Sequence, residues 1–159
     1  MGKKLLAVLV GIGLMGFVVG TVMASAGSDI TTPRTIRFAA KTTQFTQVDV
    51  KPAGFSQGDQ LVFHDVLRHS GKTIGYDGGT CTVTSLVAAE PAQLQCVVTF
   101  VFGSGQVTTL GLLSVSDPNN FTGRFAVNGG TGIYQNARGQ GTIHQVSSSL
   151  AFITLRLIP

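Results

Sequence analysis

The segment QCVVTFVF, residues 95–102, is apolar on both faces of any strand it forms. Side chains alternate along an extended chain, so Cys96, Val98, Phe100 and Phe102 point one way while Val97 and Val101 point the other. Neither face can be left fully wetted. A barrel with an apolar interior and an outer wall covered by another subunit satisfies this; a sandwich more often shows one polar face per strand. The rest of the chain is cut the same way. TIRFA, FTQVDV, QLVFHDVLRH, CTVTSLVA, QVTTLGLLSV, GRFAV, GTIHQV and LAFITLRLI are rich in Val, Ile, Thr and Phe. Between them lie KPAGFSQGD, SGKTIGYDGG, AEPAQ, GSG and SDPNN, which carry turn chemistry. About eight strands and no helix-period stretch beyond the N-terminal segment predict an all-β domain, a sandwich or a closed barrel, over residues 27–159.

Residues 1–26 read as a signal peptide. MGKK is a short basic start, Leu5 to Met23 carry no charge, and Ala24-Ser25-Ala26 supplies the small residues of a cleavage site. The apolar run is also long enough to cross a bilayer, so an uncleaved anchor over residues 5–23 is the alternative. The expected location is secreted, or membrane-anchored in the second case. Lys3 and Lys4 belong to this leader, so part of the formal net charge of +4 leaves with it. No Lys/Arg cluster remains in the sequence, which gives nucleic-acid binding little support. Charged residues make up only 11% of the chain, low for a monomer with a fully wetted surface, and a homo-oligomer, dimer or trimer, is expected. An exported chain with two cysteines, Cys81 and Cys96, favours a disulfide between them over a reactive thiol. His64, His69 and His144 show no metal-ligand spacing.

FAVNGGTGIYQNARGQG, residues 125–141, looks at first like a phosphate-binding loop. Such a loop runs from a strand into a helix, whose first N–H groups meet the anion. This segment runs into another strand, its glycines miss the G-x-G-x-x-G spacing, and no Lys-Ser/Thr follows. Gly129, Gly130 and Gly132 are read as a corner needing positive φ. Gly139 and Gly141 are read as a bulge or bend at a barrel rim.

Three stretches in series, GDQLVFHDVLRHSGKTIGYDGGTCTVTS, TFVFGSGQVTTLG and FAVNGGTGIYQNARGQGTI, closely resemble the allene oxide cyclase barrel. Their order and spacing are shared with plant allene oxide cyclases and, more loosely, with dirigent proteins; relatives include cyclases that close rings on polyketide chains by (4+2) cycloaddition. The resemblance covers about Gln57 to the C-terminus. It implies an eight-stranded antiparallel β-barrel around a small apolar ligand, with the glycine segment as a hairpin corner. Where plant allene oxide cyclases carry an Asn after the Gly-Asp turn, this chain has Asp65; their Cys is kept as Cys81. Their first-strand Glu is absent, since IRFAAKTTQF contains no acid, which sets the chain apart from their epoxide chemistry. Tyr134 keeps the family's aromatic, and Arg138 falls on the ARG triplet of dirigent relatives.

Alternation puts Leu61, Phe63, Asp65 and Leu67 on one face, with His64 and Arg68 on the other. A lone Asp on an apolar face is costly unless partnered, so Asp65 is either a site carboxyl or a structural hydrogen-bond acceptor. Asp77 reads as a turn former. Tyr134 is either a hydrogen-bond donor closing one mouth or a rim aromatic, and Arg138 a ligand contact or a solvated charge. The expected lumen is lined by Leu61, Phe63, Cys81, Val83, Val98 and Phe100, with Asp65, Tyr134 and Arg138 as the catalytic candidates. The expected function is a cyclase or isomerase that uses no cofactor and no metal. It binds a hydrophobic reactive intermediate and templates its ring closure by proximity and orientation. The alternatives are a non-catalytic dirigent protein and an apolar-ligand carrier.

Overall fold

A computed structural model describes residues 32–158; the expected leader lies outside them. Eight strands run in chain order: β1 (Arg34–Val48), β2 (Gln60–His69), β3 (Lys72–Ser85), β4 (Ala92–Phe102), β5 (Gly105–Val115), β6 (Phe121–Gly130), β7 (Arg138–Ser147) and β8 (Leu150–Ile158). Each pairs antiparallel with its neighbours, and β1 pairs with β8 from Arg34↔Leu157 to Lys41↔Leu150, closing the barrel. The β-branched and aromatic runs thus form ladders with no free edge. One short 3-10 helix, Gly132–Tyr134, fills the corner between β6 and β7.

Two expected boundaries fail. TIRFA and FTQVDV are one strand, β1, whose register shifts between Thr42 and Gln44. There Thr43 Oγ1 donates to the His64 carbonyl at 3.1 Å, so the break in apolar pattern marks a bulge and not a turn. The supposed turn SGKTIGYDGG is a turn only at Ser70 and Gly71, both at positive φ; from Lys72 onward it is β3. Its glycines are there for close approach. A Cβ on Gly79 would meet Phe63 Cζ at 2.6 Å and Val98 Cγ2 at 2.9 Å, and one on Gly75 would meet the Val101 carbonyl.

The glycine segment 125–141 is the expected strand-to-strand corner, with a different division of labour among its glycines. Gly132 (φ 62°) and Gly139 (φ 136°) take positive φ; Gly129 and Gly130 do not. Gly130 is needed because a Cβ would strike the Tyr134 carbonyl, and Gly141 because a Cβ would enter the Phe125 ring. Gly141 lies inside β7, paired with Phe125 and Leu155, and is not a bulge.

The interior divides in two. At one end Phe38, Leu67, Phe100, Val107, Leu155 and Leu157 pack with Tyr134 and Ala137 of the β6–β7 corner into a filled core. At the other end Cys81, Leu94, Cys96 and Leu113 form a smaller cluster, with Leu61, Phe63, Phe121 and Ile143 only half-buried against it. These inward-facing side chains keep partial exposure, so solvent reaches the rim of this half. The ends are called closed and open below. The closed end holds the first residues of β1, β3, β5 and β7. Cys81 and Cys96 face each other across β3 and β4 and form the expected disulfide, which lies within the open half. Gly141→Ala is expected to cost about 1–3 kcal/mol by overpacking against Phe125, read as a lower midpoint in chemical denaturation with an unchanged slope.

Candidate functional site

The lumen residues follow from alternation along β2, β3 and β4. Stepping inward-facing positions from the open end, β2 presents Leu61, Phe63, Asp65 and Leu67, and β3 presents Val83, Cys81, Gly79, Asp77 and Gly75. Val83 and Phe100 are buried, at 1% and 3% exposure; Val98, Leu61 and Phe63 are half-buried. All six expected lining residues therefore face inward.

Asp65 and Asp77 are cross-strand partners in the β2–β3 ladder, a placement that sets side-chain Cβ atoms about 4.5–5.5 Å apart. Asp77 is no turn former. It lies mid-strand and is 1% exposed, while Asp65 is 8% exposed. Among the described residues, the buried side-chain oxygens without a hydrogen-bond partner are one from each: Oδ1 of Asp65 and Oδ1 of Asp77. The pair sits where the two halves of the interior meet. Leu67, one inward step toward the closed end, is fully buried, whereas Phe63, one step toward the open end, is half-buried. Gly79 adds no side chain above Asp77, and the Phe63 ring and Val98 fill the space it leaves. The two carboxyls thus form the floor of the open half.

Two carboxylates this close in an apolar interior cannot both ionise. Burial is the main force raising the Asp65 carboxyl; a hydrogen bond from the Thr42 side chain and the charge of outward-facing His64 oppose it. Asp77 is pushed up to about 8, first by burial and then by the Asp65 charge, against a hydrogen bond from the Asp65 backbone. Near neutral pH the pair keeps a proton, and its titration belongs to the pair. It offers an O–H donor beside an acceptor oxygen at the floor of an otherwise apolar space.

The remaining candidates lie elsewhere. Tyr134 is buried at 3% exposure in the closed end, with its ring 5.6 Å from that of Phe102 and the Arg34 guanidinium 5.6 Å over its face. Arg138 is the exposed first residue of β7, at the same end. Neither shares a space with the Asp pair. Asp59, which sequence reading passed over, is fully buried at the base of β2. Its carboxylate accepts from Val50 N at 2.9 Å, Gln47 Nε2 at 3.0 Å and Ser56 N at 3.1 Å. The Val50 hydrogen bond leads in holding its pKa below the usual range. Asp59 thereby clamps the 49–59 loop to the open end. No group of three or more potential metal ligands occurs among the described residues.

The fold class is a closed eight-stranded antiparallel barrel with a carboxyl pair buried inside it. The allene oxide cyclase barrel like domain matches residues 35–155, and the chain belongs to that family. Among solved structures, a pyocyanin demethylase superposes with a TM-score of 0.67 at 28% identity, over 77% of this chain and 99% of that one. AbnU, an exo-specific intermolecular Diels-Alderase, superposes with a TM-score of 0.66 at 14% identity, over 79% and 98%. A pterocarpan synthase dirigent protein gives 0.62 at 18% identity, over 79% and 84%. No curated protein matches the chain.

The carboxyl pair makes stability depend on pH with a definite sign. Unfolded, Asp77 ionises near 3.8; folded, it holds its proton to about 8. Between these values the folded state binds more protons, so stability falls as pH rises across that window. Asp59 acts in the opposite sense and below it. The Tm is expected to decline from pH 5 to pH 8, and Asp77→Asn to remove most of the decline; thermal melts across the series check this.

Proposed function

We propose that the barrel is a cyclase that binds a hydrophobic, carbonyl-bearing chain in its open half and templates ring closure. The observation that carries this reading is the Asp65–Asp77 pair. A carrier gains nothing from two unpartnered carboxyl oxygens in its lumen, and neither does a dirigent barrel that only orients radicals made elsewhere; each such group costs free energy to bury. In a cyclase the protonated Asp77 donates to the substrate carbonyl and stabilises negative charge that grows there during bond formation. Leu61, Phe63 and Val98 fold the chain so that its reacting ends meet, which removes much of the entropic barrier. The solved Diels-Alderases of this fold support the reaction class.

A second reading is favoured by the barrel that is 28% identical to this chain and is a pyocyanin demethylase: the lumen takes that ligand, the methyl carbon passes two electrons to the phenazine ring and leaves with water's oxygen as formaldehyde, and the reduced, demethylated ring is released. The reading of the chain as a homo-oligomer is supported by an outer wall over β3–β5 that carries no charge beyond Lys72 at the rim, where Tyr76, Val97, Leu110 and Leu112 are exposed.

The test offers the barrel a linear polyene bearing a conjugated diene and an enone, and separately pyocyanin, each without oxidant. Loss of diene absorbance with a cyclic product supports the cyclase. Return of both compounds unchanged leaves the carrier or dirigent roles. For the cyclase, Asp77→Leu is expected to slow turnover about a hundredfold, at the weak end of known oxyanion donors. Asp77→Asn, which keeps an N–H donor, should stay within roughly tenfold of the wild type and lose the fall in rate above pH 8. Val98→Trp should abolish turnover with little change in Tm.

A further inference from the structure

The closed end and the adjoining wall of β8, β1 and β2 gather charge that the sequence scatters. Arg34, Lys72 and Arg138 are the first residues of β1, β3 and β7, all at the closed end. Arg37, Arg68 and Arg156 face outward close by: Arg37 pairs in register with Thr154, Arg68 with Ala39, and Arg156 with Thr35. All six are exposed. The exposed acids among the described residues, Asp49, Glu90 and Asp117, all lie in loops at the open end. The other three acids, Asp59, Asp65 and Asp77, are buried. The barrel therefore has a basic end and a mildly acidic one.

The basic wall also has relief. Arg37, Arg68, His69, Gly71, Phe152 and Thr154 line a hollow of about 340 Å³. His69 Nδ1 bonds the Arg37 carbonyl at 2.8 Å and steadies its floor, and Phe152 is 52% exposed between the arginines. Guanidinium pairs suit phosphate oxygens, and an exposed aromatic suits the boundary between headgroups and acyl chains. The N-terminal segment, with its apolar run Leu5–Met23, joins β1 at this same end.

We infer that the basic closed end and β8–β1–β2 wall dock the barrel on an anionic lipid bilayer, leaving the open half toward solvent. The contact is electrostatic and works whether or not residues 5–23 are retained. Each basic residue near such a surface strengthens binding by roughly fivefold, and salt screens it.

The experiment is co-sedimentation of the full chain with phosphatidylcholine vesicles and with vesicles of three parts phosphatidylcholine to one part phosphatidylglycerol. Any partitioning of the apolar N-terminal run is common to both, so the ratio reads the basic surface. Tighter binding to the anionic vesicles, lost at high salt, is expected. Replacing Arg37, Arg68, Lys72 and Arg156 by Gln should reduce the preference on the order of a hundredfold. Replacing Lys51 and Arg124, which lie off this wall and away from the closed end, should leave most of it, with both variants matching the wild type in far-ultraviolet circular dichroism. Equal binding to the two vesicle types, or equal losses in the two variants, would overturn the inference. So would tighter binding to a DNA duplex than to the anionic vesicles, which would assign the surface to nucleic acid.

Discussion

The pairing of β1 with β8 is the constraint from which the rest follows. It closes the sheet, so most backbone groups in the wall are satisfied within ladders, with β5 and β6 paired only from Val107↔Gly130 to Leu110↔Ala126. It also forces one face of all eight strands into a single enclosed space. A chain with Val, Phe and Leu on both faces of a strand fits such a wall, because the inward set fills the space and the outward set on β3–β5 is uncharged beyond Lys72 at the rim. Glycines then adjust the bore. Gly79, Gly75 and Gly141 each remove a side chain where a ring or a neighbouring backbone comes too close.

Enclosure makes the Asp65–Asp77 pair chemically distinct. On an exposed hairpin, opposed carboxyls would both ionise and repel mildly. Inside the barrel, burial and mutual charge keep a proton on the pair near neutral pH. The filled half built around Leu67, Phe100 and Tyr134 shuts the pair off from below, and Asp77 is only 1% exposed, so a ligand entering from the open side reaches the pair by displacing the side chains above it. One fold thus supplies a shaped apolar space, a donor and an acceptor, which is sufficient for polarising a carbonyl while a flexible chain is held folded. Tyr134 belongs to the plug that makes this asymmetry.

Much of this was legible in the sequence. Alternation grouped the residues of β2 and β4 by face, two cysteines in an exported chain pointed to the Cys81–Cys96 disulfide, and the family resemblance pointed Asp65 inward. Sequence reading failed where a residue type has two structural uses. Glycine marks turns and also close approach, so KTIGYDGG read as a turn when it is the first half of β3, and Asp77 was misplaced with it. The signal that could have placed Asp77 is its register: it faces Asp65 across a tight hairpin at Ser70-Gly71. The charge polarity of the barrel was illegible for another reason. Arg68 and Lys72 flank one hairpin, but Arg34, Arg138 and Arg156 are far from them in the chain and meet them only because alternate strand ends return to the same rim.

The central claim is that the lumen keeps a protonated carboxyl at neutral pH. Infrared spectroscopy reads this directly, since a protonated carboxylic acid and a carboxylate have separate carbonyl stretches. With the exposed acids ionised at pH 6.5, the barrel is predicted to retain a protonated-acid band that fades as the pH passes about 8 and is missing from Asp77→Asn. A spectrum at pH 6.5 showing only carboxylate, or a protonated band unchanged in Asp77→Asn, would contradict the account.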